Sequence, residues 1–215
     1  MSILRNAVTL LQGTAVAQLI ALLALPLLSR LYVPSDFGLF QIYQSAMTVA
    51  MTVSAGRYEL ALLEARVRTD RLRILELSLV LNGGFALASA GLAATAAVVG
   101  LLPGPAWVWA LVPLAALVAG VFQTLSYLVL ANQEFGRAAQ AKVVQTLGYL
   151  GVALGLGYGG AALFGLVLAD LAGRSLAILK MAPGLRPLPG VLASTGRRQR
   201  WRTLIATARR RSRYP

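Results

Sequence analysis

Two pairs of opposite charges stand where the chain is otherwise apolar. Asp170 and Arg174 are four residues apart, one turn and one face of a helix. Arg57 and Glu59 close an uncharged run that begins after Asp36. In apolar surroundings such a pair can cancel its own charge, take up a proton, or hold a charged ligand. The planar guanidinium fork matches phosphate oxygens in particular. Gln12, Gln18, Gln123 and Gln145 add neutral hydrogen-bonding groups on three different segments. They suit sugar hydroxyls and bonds between helices equally. Other chemistries are missing their residues. The chain has no histidine and no cysteine, which removes the commonest general base and metal ligand and every thiolate site. No glycine-rich phosphate loop with its lysine and Ser/Thr occurs. These residues fit binding and passage, so no catalysis, cofactor or metal is expected.

The elements that hold these groups are set by solvent. With 58% hydrophobic and only 13% charged residues, the chain cannot cover a globule with polar surface and calls for an apolar medium. The net charge of +13 raises nucleic acid as a partner. Its distribution argues against that, because the basic residues sit between apolar runs and in the tail, on alternating sides. The expected fold is an all-α membrane protein with six transmembrane helices in one bundle over residues 1–182. A basic connector and tail, 183–215, follow. The first helix covers 9–31: its apolar run exceeds a signal-peptide core and has no small-x-small cleavage site before Arg30. Gln12, Thr14 and Gln18 are expected to face other helices, and Pro26 to kink the last turns. Pro34 and Ser35 form a turn, with Ser35 or Asp36 capping a second helix over 37–63.

A basic loop at 64–73 comes next. No charged residue lies between Glu76 and Glu134, a run that holds two spans with a turn at Pro103-Gly104-Pro105. Trp107 and Trp109 sit beside that turn at an interface. Helices over 138–157 and 161–181 complete the six, with a turn at 157–160. The segments 66–73, 137–142 and 186–213 are basic, so they and both termini are expected on the cytoplasmic side.

Depth gives each charge pair two readings. Arg57 and Glu59 would lie about 30 Å along helix two, either as a snorkelling anchor or as a cationic mouth for a phosphate-bearing head group. In helix six, the apolar residues favour insertion by about 3–5 kcal/mol, while two central charges oppose it by about 5–7 kcal/mol. Asp170 and Arg174 must therefore pair, face inward, or snorkel. They form either a polar cavity wall or a packing ion pair. Two rows of small residues, Gly151/Gly155/Gly159 and Gly165/Ala169/Gly173/Ala177, are expected to be ridges where backbones approach. In the tail, Trp201, Leu204, Ile205 and Ala208 follow helical spacing among eight arginines. That is an amphipathic segment for an anionic lipid surface.

Several of these residues also carry a family resemblance. Gln12-Gly13-Thr14, Gln18, Pro26, Ser29-Arg30-Leu31-Tyr32, Pro34, Asp36-Phe37-Gly38-Leu39-Phe40 and Arg57-Tyr58-Glu59-Leu60-Ala61 resemble the start of the polysaccharide biosynthesis and O-antigen flippase family. That family lies within the multidrug/oligosaccharidyl-lipid/polysaccharide exporter superfamily. The resemblance covers nearly the whole chain and about the first half of a typical member. It implies a carrier of undecaprenyl-pyrophosphate-linked oligosaccharide between leaflets of the bacterial inner membrane, for lipopolysaccharide or other surface polysaccharide. Arg57 and Arg174 would meet the head group. Glu59 and Asp170 would balance their charge or bind a coupling proton, with Gln12 and Gln18 beside the path. The family's basic linker precedes its second half, and this chain reaches Tyr214-Pro215 there. The expectation is a truncated or half transporter, completed by a second half or a second copy. Two alternatives are a membrane scaffold of a glycan assembly machinery and a small homodimeric exporter of cations. Arg174 beside Asp170 would repel a cation.

Overall fold

A computed structural model describes residues 2–54, 60–64, 68–100 and 106–182. Seven helices follow in order among them: α1 Ser2–Leu31, α2 Pro34–Ser54, α3 Ala61–Glu64, α4 Arg68–Val99, α5 Ala106–Ala131, α6 Phe135–Tyr158 and α7 Ala162–Met181. The described residues are almost all helical, with no strand among them. Four helices carry segments long and apolar enough to cross a membrane: 8–31, 70–95, 107–131 and 162–181. The chain is therefore a multi-pass membrane protein by length and composition. The other two long helices, α2 and α6, are more polar. In α2, Gln41, Gln44, Ser45, Thr48 and Thr52 recur at helical spacing, and the three hydroxyls bond back to carbonyls one turn earlier.

Several boundaries differ from the sequence expectation. The second helix begins at Pro34, ahead of the expected residue 37, and is described to Ser54; helix Ala61–Glu64 follows, and 55–59 lie outside the described residues. The residues called a basic loop enter α4, which starts at Arg68 and carries Asp70 in its first turn. Arginine is a good helix former and a carboxylate is favoured at a helix N-terminus, so the helix outruns its apolar part. Pro34 occupies the first position of α2, where its missing N–H costs nothing. Asp36 lies in the same first turn. Pro26 lies within a continuous α1, and a second proline, Pro113, within α5. The Pro103–Pro105 turn, the connector and the tail lie outside the described residues.

The helices alternate between two ends. At one end, Arg71 Nη1 donates to Asn132 Oδ1 at 3.0 Å, tying the start of α4 to the close of α5. Gly13 packs on Ala139, and Ser126 Oγ reaches Met181 Sδ at 3.9 Å, so the early part of α1, the early part of α6 and the end of α7 lie there too. At the other end, the Tyr32 hydroxyl donates to the Ala153 carbonyl at 2.6 Å, and Trp107 meets Phe164 edge-on at 5.4 Å. Among described residues, Arg71, Arg73, Arg137 and Lys142 thus share the first end with the early part of α1 and the end of α7. The turns at the second end hold one cation, Arg30, against Asp36. Gly160 takes the left-handed conformation (φ +73°) that reverses the chain between α6 and α7.

The central element is α5, packed on α2, α4 and α7. The most extensive pairing is α6 on α7, then α1 on α6. The core has two apolar clusters. One holds Leu28, Phe40, Tyr43, Ala119, Leu166 and Leu171 toward the second end. The other holds Leu62, Leu75, Leu125, Val129, Ala177 and Met181 toward the first.

Candidate functional site

Asp170 and Arg174 lie between those clusters. Asp170 is eight residues into α7, about 12 Å from its start, and Arg174 about 18 Å, near the middle of a hydrocarbon core about 30 Å thick. The expected pair forms: Arg174 Nε donates to Asp170 Oδ1 at 3.0 Å and to Oδ2 at 3.1 Å. Asp170 is buried, and the Arg174 side chain is 13% exposed. One helix therefore carries both charges into the interior, where each lowers the cost of burying the other.

A third partner comes from α2. Gln44 Nε2 donates to Asp170 Oδ1 at 3.3 Å. Gln44 sits ten residues past Pro34, about 15 Å along α2, which matches the depth of Asp170 measured from the same end. Tyr43 is fully buried, its hydroxyl has no hydrogen-bond partner among the described residues, and both charges of the pair act on it. From α6, Tyr149 lies within reach of the Asp170 charge and Lys142 within reach of Arg174. Lys142 Nζ also donates to Gln145 Oε1 at 3.1 Å and stands 5.9 Å from the Phe122 ring centre.

Charge and hydrogen bonding together define what this arrangement can do. Arg174 pairs with Asp170, and a second cation, Lys142, lies in electrostatic range of Arg174. Both Arg174 bonds leave through Nε, so among the described residues the two Nη groups carry no hydrogen bond. A guanidinium has five N–H donors, which leaves a planar fork of four for an acceptor. The α6–α7 contact brings the groups together. Gly173 lies so close to α6 that a Cβ there would stand 2.6 Å from the Gln145 carbonyl oxygen. The row Gly165, Ala169, Gly173, Ala177 is buried and forms the expected ridge.

The other glycine row is corrected. Gly151 and Gly155 are exposed with open space around them, and Gly148 and Gly157 make the contacts of α6 instead. A four-residue period appears in either row, and sequence alone does not tell which side of the helix meets a neighbour. The same ambiguity misplaces Gln12. Gln12 and Gln18 are exposed, because Gly13, Ala17, Ala24 and Leu28 take the packed face of α1. Gln12 is not brought to the charge pair. Gln18 lines a groove of about 510 Å³ between α1, α2 and α6, with Leu25, Phe37, Phe40, Gln41 and Tyr149. Arg57 and Glu59 lie outside the described residues.

Gln44, Tyr43, Tyr149 and Lys142 were not foreseen as members of the site. The polar row of α2 was the available signal for Gln44. Nothing in the spacing of the aromatic residues distinguished Tyr43 from ordinary core. Comparison with family models, curated proteins and solved structures finds no match.

Proposed function

We propose that the chain forms one bundle of a membrane carrier that moves a lipid-linked oligosaccharide across the inner membrane. In this reading six helices span, α2 and α6 among them, and the basic end faces the cytoplasm. The resemblance described above supplies the substrate class, an undecaprenyl-pyrophosphate-linked glycan. The observation that supports it most is the half-buried Arg174 guanidinium, whose Nη fork carries no hydrogen bond among the described residues, with Lys142 in electrostatic range. A diphosphate carries acceptor oxygens that suit such a fork. Asp170 then orients Arg174 through Nε, Gln44 steadies the carboxylate, and no bond of the substrate breaks. A second half or a second copy supplies the opposite wall.

Deleting the gene tests this. The expected result is loss of long surface glycan with lipid-linked units accumulating inside. The chain restores display, and an Arg174→Ala chain does not. Normal glycan without accumulation contradicts the proposal. A scaffold role predicts the converse: activity lost on removing 197–215 and kept in Arg174→Ala.

A further inference from the structure

The helix α4 is two unlike halves joined at a pair of glycines. Its buried side chains, Leu72, Leu75, Ser78 and Asn82, all precede Gly83. Between Gly83 and Thr95 none is buried, and Leu87 and Leu92 are 78% and 72% exposed. A clamp marks the boundary. Asn82 Nδ2 donates to Thr124 Oγ1 at 3.3 Å, and Thr124 Oγ1 donates to the Gly120 carbonyl at 2.8 Å. The Asn82 amide lies against Gly120 so closely that a side chain there would collide with it.

Gly83 and Gly84 follow the clamp directly. Adjacent glycines in mid-helix weaken it, because glycine leaves the backbone the most freedom to lose. Close packing against a neighbour would account for them. Among the described residues it is absent: a Cβ at either position would meet nothing within 4 Å. We propose that Gly83–Gly84 is a bending joint, about which the outer arm of α4 swings while the Asn82 clamp holds the inner half on α5. The joint lies about 22 Å from the start of the helix, close to its midpoint. Glycine pairs are recognised sites of helix bending, and a few such residues absorb the backbone change in domain and gate motions. The arm that moves leads to the end carrying the α1–α2 turn, so bending alters access at that end alone. This inference stands on α4 and α5 and does not depend on what is carried.

The absence of cysteine permits a direct test on the full chain in lipid nanodiscs. Spin labels at Leu92→Cys and Leu114→Cys span the joint, and labels at Val80→Cys and Leu114→Cys report the clamped half. The expected distance distribution is broader for the first pair than for the second. In the Gly83→Ala/Gly84→Ala chain the first narrows to the width of the second, and the second is unchanged. Alanine meets no atom at either position, so a melting temperature at or above that of the parent verifies the fold. Equal widths in the parent chain, or an unchanged first distribution in the double variant, overturns the proposal.

Discussion

At the residue scale, a buried charge is tolerable only with its partner. Arg174→Ala leaves the Asp170 carboxylate buried and bonded to Gln44 alone, and thermal melting in detergent should register a loss of about 3–5 kcal/mol. Asp170→Ala/Arg174→Ala removes both charges and should recover most of that stability while glycan display stays lost. Recovery of display by the double variant would reduce the pair to packing. The Asp170–Arg174 spacing was legible because i,i+4 on a helix has one geometric meaning. Gln44, which is 126 positions away from Asp170, was not, because helix neighbours are set by packing.

A second residue-scale prediction concerns Tyr32, which lies just past α1. Burial, and then the Asp36 charge, push its phenol above the ordinary value of 10.0. The neutral, donating form is therefore favoured in the fold. Its contribution is present below pH 10 and is lost as pH rises through the higher folded value. Tyr32→Phe should cost about 1 kcal/mol, constant across neutral pH. Gly165→Ala would place a Cβ 2.5 Å from the Tyr32 hydroxyl and should cost about 1–3 kcal/mol by overpacking. Equal melting temperatures for Gly165→Ala and the parent would remove this contact from the account.

At the element scale, the two glycine rows make opposite predictions. Gly173→Leu should separate α6 from α7 and abolish a cooperative melt, since backbone atoms of α6 occupy that space. Gly151→Ala and Gly155→Ala should each stabilise by up to about 1 kcal/mol, because alanine is the better helix former and nothing obstructs it. Destabilisation by the second pair would place an unseen neighbour on that face. The all-helical class and the approximate limits of the long helices were readable from apolar length, prolines and charged breaks; four of the helices are long and apolar enough to span, against the six expected. The faces were not: a row of small residues has a period but no direction. The start of α4 escaped because charged residues end an apolar stretch without ending a helix.

At the scale of the whole molecule, a carrier of this design has the basic ends of its helices on one side of a bilayer and the α1–α2 turn on the other. The Arg71–Asn132 and Tyr32–Ala153 bonds already assign these groups to opposite ends of the bundle. Composition announced an apolar medium. The charge pattern announced a polarity that geometry repeats, since cations gathered in alternate connections can only meet if the helices run up and down. The measurement that bears most directly on this is cysteine accessibility in intact cells with a membrane-impermeant reagent, one cysteine at a time. Ser35→Cys should react from outside, and Arg73→Cys and Gln140→Cys only after the membrane is opened. Reaction of all three from one side, or recovery of the chain as a soluble protein without detergent, would contradict the account.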